Sequence, residues 1–384
     1  MMLQVAPATT YLTYRHFYDP KTQQLMLGGI ENYLLQLARL LQSEGQRCVV
    51  VQTADQDFSA NFQGIEVVGI HCSGYRGNRK KLALFQYISD RFNDEKDSII
   101  FGTDSYYVKN NYRRSIAIQH GVSWDKPASG SIFGFIKSLL NHQKYLGYIR
   151  DCHNLVCVDH NFVNWYRTYR NFPAKTLVKV ILNFSAGAIS QQHLEQKWQQ
   201  PLASPRLLIA RRFVDYRGIG LAIAVVQKLM LKYPQLQVTF AGEGPLEGDI
   251  QAVFAGQSQV NVCRYNAEDA LRIHYQHDLV LLPSIGSEGS SLSLAEAMAA
   301  GCAIVSTNVG GLSNMIIDQF NGLMGMPDAD TLTTQLDYLL QHPKDAKRMA
   351  LQAHATAVCS LSLARWQQDW RQYFMQLGFD LRQV

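Results

Sequence analysis

Short apolar runs alternate with longer amphipathic stretches along nearly all of this 384-residue chain, and that alternation limits the possible folds more than any other feature. Strands and helices in strict alternation bury their apolar faces best in a parallel sheet with helices on both sides. In the first half, strands are expected at Leu3 to Ala6, Cys48 to Gln52, Ile65 to Ile70, Ser98 to Phe101, Ser115 to Gln119, Leu155 to Val158 and Lys179 to Leu182. Gly28 and Gly29 open a helix from about Ile30 to Ser43, whose apolar stripe is Ile30, Leu34, Leu37, Ala38 and Leu41, and Gly45 stops it. A second series has strands at Arg206 to Ala210, Gln237 to Ala241, Gln259 to Cys263, Asp278 to Leu282 and Ala303 to Thr307. Its helices fall at about Ile219 to Lys232, Ala267 to Tyr275 and Leu292 to Ala300. The Pro- and Gln-rich stretch from Gln191 to Pro205 breaks the pattern and reads as a linker. The predicted architecture is α/β, with two doubly wound, Rossmann-like domains facing across a cleft. They span 1–185 and 206–360, with a linker over 186–205. A last segment, 361–384, carries a helix from Leu361 to Phe374, with Trp366 and Trp370 at i, i+4 spacing, that packs back toward the first domain. Such sheets bind ligands beyond the carboxyl ends of their strands, so functional residues are sought just after strands.

Composition removes several classes of function. With 47% hydrophobic and 17% charged residues the chain is not disordered, and its 27 Gly and 11 Pro follow no period, which excludes a fibrous repeat. Apolar runs such as Leu221 to Val226 and Leu279 to Leu282 stop far short of the ~20 residues that cross a bilayer. No basic, apolar and small-residue succession marks a secretory signal, and the seven Cys are scattered as reduced thiols would be. A cytoplasmic protein, soluble or peripheral at the inner face of the membrane, is expected. Residues 1–200 carry 22 Lys+Arg against 15 Asp+Glu, whereas 201–384 carry 14 against 16, so only the first domain favours anionic surfaces.

One stretch concentrates the chemistry: Pro283-Ser-Ile-Gly-Ser-Glu288-Gly-Ser-Ser-Leu-Ser-Leu-Ala-Glu296-Ala-Met-Ala-Ala-Gly301, followed by Gly310-Gly311. A strand ends at Leu282, a Gly/Ser loop carries Glu288, and a helix then holds Glu296. A carboxylate accepts hydrogen bonds from both hydroxyls of a ribose, and the free amides of Gly289, Ser290, Ser291 and Leu292 at a helix N-terminus hold phosphate. Together these suit a nucleoside diphosphate sugar.

The stretch resembles the signature of the family-4 retaining glycosyltransferases of the GT-B fold, such as those that build bacterial lipopolysaccharide, capsule and exopolysaccharide. Arg212-Phe-Val-Asp-Tyr-Arg217-Gly218 resembles that family's phosphate clamp, Ala241-Gly-Glu-Gly-Pro245 its glycine turn, and Asn183 its interdomain asparagine. Gly28-Gly29-Ile30-Glu31 is similar to its N-terminal glycine loop and Gln119-His120-Gly121 to its active-site histidine. The resemblance implies Glu288 and His120 as catalytic residues. It implies donor binding by Arg212, Arg217, Glu296, Gly289, Ser290, Ser291, Leu292, Gly28 and Gly29. Three departures stand out: Arg217 replaces a Lys, Ser290-Ser291 replace a Phe-Gly, and Asn314 stands where a Glu often follows the Gly-Gly loop. The implied reaction is metal-independent and retaining, with no resident cofactor. It moves a hexose-type sugar, from UDP in preference to GDP, to a saccharide or lipid-linked acceptor.

Each residue also has a structural reading: a solvated Glu288, a solvent-facing or ion-paired Glu296, surface arginines, a buried His120, or a tight turn at Gly28-Gly29. Asp55-Gln-Asp57 and Asp328-Ala-Asp330 have the Asp-x-Asp form of a metal motif, but the first lies in a polar loop and Asp330 reads as a helix N-cap. Cys152, His153, Cys157 and His160 straddle a strand that turns neighbours to opposite faces, so no metal site is expected. Gly242-x-Gly244 after a strand leaves a nicotinamide-dependent oxidoreductase as one alternative, and a non-catalytic two-domain binding protein is another. No nucleic-acid partner is expected. Ser131 to Arg150 forms an apolar helix with interspersed Lys137, Lys144 and Arg150, and reads either as core or as a segment docking on anionic membrane.

Overall fold

A computed structural model describes residues 7–26, 28–122, 125, 131–199, 204–379 and 381. The first domain contains β1 (Thr9–Tyr14), the two-residue strands β2 (Tyr18–Asp19) and β3 (Gln24–Leu25), α1 (Gly29–Ser43), β4 (Arg47–Ala54), β5 (Phe58–Phe62) and β6 (Ile65–His71). It continues through α2 (Asn78–Ser89), β7 (Ser98–Phe101), β8 (Ser115–Gln119), α3 (Ile132–Ile149), β9 (Asn154–Cys157), α4 (His160–Tyr169) and β10 (Leu177–Val180). The second domain runs α5 (Gln191–Lys197), β11 (Arg206–Ala210), α6 (Ile219–Lys232), β12 (Gln237–Ala241), α7 (Glu247–Val253), β13 (Val260–Cys263), α8 (Ala270–Tyr275) and β14 (Leu279–Leu282). It ends with α9 (Leu292–Ala299), β15 (Ala303–Thr307), β16 (Leu323–Gly325), α10 (Ala329–Gln341), α11 (Pro343–Ser360) and α12 (Leu363–Gln376).

Both main sheets are doubly wound. The first has the order β10-β9-β8-β7-β1-β4-β6-β5 and the second β13-β12-β11-β14-β15-β16. All pairings are parallel except that of β5 with β6, where an antiparallel strand closes the edge. From β1 the chain builds outward on one side through β4 and β6, then returns to build the other side from β7. The same reversal occurs between β11 and β14. These two pairs are the topological switch points, where the loops after the strands splay apart and leave room for a ligand.

Several boundaries differ from those the pattern predicts. The strand expected at Leu3 to Ala6 lies outside the described residues, and the first described strand is Thr9–Tyr14. The stretch Gln191 to Pro205 is not simply linker. Its polar composition hides α5, whose Leu194 is buried in the second domain and whose neighbour Trp198 donates from Nε1 to the Gly301 carbonyl at 2.9 Å. The chain crosses between domains earlier, near Ser185, and returns beside that point: Ser185 N donates to Leu361 O and Leu363 N to Ser185 O. At the start of α10 the cap is Asp328, which accepts from Thr331 N at 2.8 Å, rather than Asp330, which pairs with Lys228.

Helix α12 completes the core of the first domain. Its Trp366, Trp370, Tyr373 and Phe374 are buried with Tyr33, Leu34 and Leu37 of α1 and with Phe184. Trp370 Nε1 donates to the Tyr33 hydroxyl at 3.1 Å. Helix α3 differs. Leu146 and Ile149 are buried, but Ile132 (72%), Phe133 (81%), Phe135, Ile136, Leu139 and Leu140 (68%) are exposed.

Candidate active site between the two domains

The loops that follow β11 and β14 flank the second switch point, and they bring Glu288 under two guanidinium groups. Arg211 Nη2 and Arg217 Nη1 both donate to Glu288 Oε2, and Ser284 Oγ donates to the same oxygen at 2.6 Å. Burial alone would raise the Glu288 pKa, but Arg211 and Arg217 outweigh it and hold the carboxyl below its ordinary range. Glu288 is thus an anion in a dry cleft, not a solvated loop residue.

Arg211 was not singled out by the motif. It is the first residue after β11, its side chain is 3% exposed, and its Nε and Nη1 find no hydrogen-bond partner among the described residues. The positional signal was present, because a residue directly after a strand at a switch point faces the ligand crevice. Arg217 lies on the turn Asp215–Arg217 and keeps a 26% exposed side chain. Arg212 points the other way, to the first domain: a Cβ on Gly28 would lie 3.0 Å from Arg212 Nη2 and 2.0 Å from Glu31 Oε2. A Cβ on Gly29 would meet Leu292, so the Gly28-Gly29 loop closes directly over the start of α9.

Helix α9 starts at Leu292 with Ser291 as its cap, so residues 289–291 are loop and the Glu288–Glu296 spacing is not that of one continuous helix. The first-turn amides of a helix have no partner within the helix, and in α9 the Leu294 amide is capped by Ser291 Oγ at 3.3 Å. Glu296, one turn further on, has no partner among the described residues, and burial pushes its pKa up to about 7. Tyr265 lies within electrostatic reach of both Glu296 and Arg211.

Ser290 is differently employed from what its position suggests. Its hydroxyl donates to Val158 O at 2.6 Å and accepts from Asn183 N at 2.9 Å, while its carbonyl accepts from Asn183 Nδ2. Side chain and carbonyl together fasten the domains. Asn314 does likewise, accepting from His160 N at 2.7 Å. Two of the three departures from the family pattern are therefore at the domain contact.

From the first domain, His120 follows β8 and sits at the edge of Tyr33, with ring centroids 5.0 Å apart. Its Nε2 lies 2.9 Å from the Gly102 carbonyl and so carries the proton; burial lowers its pKa to about 4. The imidazole is neutral at physiological pH, with Nδ1 left as an acceptor. Asp159, also missed in the sequence, caps α4 with Oδ1 on Phe162 N at 2.8 Å, while its buried Oδ2 has no hydrogen-bond partner among the described residues. Burial, with Glu288 adding to it, pushes the Asp159 carboxyl up to about 6. Here the domains nearly touch: a Cβ on Gly121 would fall 2.6 Å from Gly289 Cα and 3.1 Å from Asp159 Oδ2.

The dinucleotide alternative loses its support. Cβ atoms on Gly242 and Gly244 would meet the carbonyls of Arg211 and Phe213 at 1.9 and 2.5 Å, so these glycines let the arginine loop pack closely instead of opening a pyrophosphate cradle. Asp57 accepts from His71 N, and Cys152 Sγ is directed at Asn154 O, so both serve local structure.

Comparison with known proteins agrees with this geometry. Sucrose-phosphate synthase from Thermosynechococcus elongatus superposes with a TM-score of 0.75 at 16% identity, covering 96% of this chain and 99% of that one. Anabaena HepE in complex with UDP and glucose gives 0.70 at 16% identity, over 96% of this chain and 99% of its own. The fold and cleft are those of the GT-B class. Residues 190–356 match the family described as glycosyl transferases group 1. The gpi3 subunit of phosphatidylinositol N-acetylglucosaminyltransferase from Schizosaccharomyces pombe is 24% identical over 343 residues, which span 82% of this chain and 71% of that protein. The amylovoran biosynthesis glycosyltransferase AmsK of Erwinia amylovora is 26% identical over 185 residues, 45% of this chain and 46% of its own length. The chain is a glycosyltransferase built on the GT-B fold.

Proposed function

We propose that this enzyme is a metal-independent retaining glycosyltransferase of family 4. It moves a neutral hexose from a UDP-sugar to a saccharide or lipid-linked saccharide of surface polysaccharide synthesis, and needs no resident cofactor. The observation that carries the reading is the ionised Glu288 beneath two arginines, in the loop that leads into α9, whose first residue Leu292 lies beside Gly29 of the other domain. As the sugar departs, charge grows on the leaving diphosphate, and fixed donors there act mainly in the transition state. Arg212, Arg217 and the amides of Gly289, Ser290, Ser291 and Leu292 supply them. Glu296 takes the ribose hydroxyls. Neutral His120 offers Nδ1 to a hydroxyl of the sugar, and the departing phosphate itself deprotonates the acceptor. UDP is favoured because HepE, a structural neighbour, is seen with UDP, with UDP and glucose, and with UDP-glucose.

The acceptor is met at an anionic membrane on the cytoplasmic side. Among the described residues no helix is long and apolar enough to cross a membrane. Helix α3 instead leaves six large apolar side chains in water beside Lys137 and Lys144, a composition suited to the boundary between headgroups and acyl chains.

The test is a thermal-shift screen with UDP, UDP-glucose, GDP and GDP-mannose, followed by release of free nucleoside diphosphate and NMR of the product. A ligand bound only by the native state raises its melting temperature. An inverted anomer, or loss of activity on adding EDTA, would overturn the mechanism.

A further inference from the structure

Glu288 is shared by two arginines that differ in freedom. Arg217 reaches solvent from a single turn, whereas Arg211 is sealed in: its backbone N donates to Ala241 O at 2.9 Å and its carbonyl packs on Gly242. An arriving diphosphate therefore draws away Arg217. Arg211 cannot follow.

A guanidinium has five N–H donors in a rigid fork. In Arg211 one nitrogen, Nη2, serves Glu288, while Nε and Nη1 are buried without a hydrogen-bond partner among the described residues. Buried donors are nearly always satisfied, so these two need an oxygen partner, from water or from a ligand. The charges agree. A UDP-linked neutral sugar brings two negative charges on its diphosphate, which Arg212 and Arg217 answer, and Arg211 is matched by Glu288.

We propose that Arg211 is a positioning and sugar-binding residue, which keeps Glu288 fixed as an anion once the diphosphate has taken Arg217 and offers its Nε and Nη1 to a hydroxyl oxygen of the transferred sugar. This rests on the nucleotide-sugar reading of the cleft. Arg211 then contributes to recognition of the sugar and not of the nucleotide. The charged groups that face Glu288 are Arg211 after β11, Arg217 on the following turn and Asp159 across the domain contact, with Tyr265 beside Arg211.

The experiment compares wild type, Arg211→Lys and Arg211→Met by calorimetric binding of UDP and UDP-glucose, and by the pH profile of kcat/KM. Each is repeated with Asp159→Asn, so that the titration of Asp159 does not obscure that of Glu288. Expected for Arg211→Met are UDP affinity unchanged within about 2-fold and UDP-glucose affinity lowered by at least ~10-fold, the scale of one lost charged hydrogen bond. Its acid limb should also rise, because Arg217 and Ser284 alone are then left to offset the burial of Glu288. Arg211→Lys keeps the charge but loses the fork: it should lose affinity for the sugar and keep the acid limb. This variant decides the matter if Arg211→Met does not fold. Equal losses of UDP and UDP-glucose would make Arg211 a phosphate ligand and overturn the proposal, as would an unchanged acid limb with unchanged UDP-glucose binding. A wild type that binds neither ligand, nor GDP or GDP-mannose, would instead overturn the reading of the cleft itself.

Discussion

Single residues divide here into those whose role follows from sequence position and those whose role follows from neighbours. Arg212 is exposed and reaches the Gly28 position beside the buried Glu31, so Arg212→Ala should leave the chain cooperatively folded and lower turnover by at least ~10²-fold, the cost of one preorganised donor. Steady-state kinetics beside a melting curve check it. Glu296 should behave differently. Its folded pKa, raised to about 7 from the ordinary 4.5, means that the folded state binds more protons than the unfolded between those values. Stability is therefore lost as pH rises through this window. Glu296→Gln should melt higher than wild type at pH 8, by roughly 2–4 °C per kcal/mol relieved, and equally at pH 4. The same substitution should raise the donor KM with little change in kcat, since ribose binding is felt alike in ground and transition states.

At the scale of elements, the two amphipathic helices α3 and α12 meet opposite fates. Both carry large apolar side chains among polar ones, and both are legible as helices from spacing. Helix α12 inserts Trp366 and Trp370 into the first domain; removing everything after Ser360 should strip that core, lower the melting temperature and expose apolar surface to a hydrophobic dye. Trp370→Ala alone should cost roughly 3–5 kcal/mol by urea unfolding, as large buried aromatics do. Helix α3 keeps its apolar face in water, which is why a core helix is not the reading to retain. Liposome co-sedimentation should show binding that requires anionic lipid, weakens with salt, and falls when Lys137 and Lys144 become Glu, at about 1 kcal/mol per charge. Equal binding to neutral vesicles would remove the electrostatic part, and no binding to either would remove the docking role.

At the scale of the whole molecule, hydrogen bonds join the two domains beside a buried carboxylate. Ser290 with Asn183 and Val158, and Asn314 with His160, join the domains. The double variant Ser290→Ala, Asn314→Ala removes bonds of about 1 kcal/mol each. It should raise the radius of gyration in small-angle scattering and slow turnover while each domain stays folded. Asp159 adds a pH term at the same contact. Its carboxyl titrates at about 6 in the folded chain, so ionisation above that value places a second negative charge near Glu288 and disfavours closure. The closed population should fall as pH rises from 5 to 7 in wild type and stay constant in Asp159→Asn. A scattering profile that ignores both pH and the Ser290/Asn314 substitutions would show that these groups do not hold the domains together.

Local chemistry in the chain determined much of this. Hydrophobic periodicity located most strands to within two residues, because a parallel strand buried on both faces has to be a short apolar run. The spacing of Glu288 and Glu296 marked the cleft, because groups after strands converge at a switch point. What local pattern could not carry was anything settled by partners distant in sequence. Helix α5 reads as a polar linker until Leu194 and Trp198 find the second core. Asp159 carries no signal in the sequence: one oxygen caps α4, and only the approach of Gly289 brings the second domain to the other. Arg211 sits beside the recognised Arg212, and on a loop adjacent residues point to different sides. Only the tertiary structure decided that the neighbour meets the first domain while Arg211 turns inward to Glu288, because burial and ion pairing are properties of the assembled cleft and not of the segment that enters it.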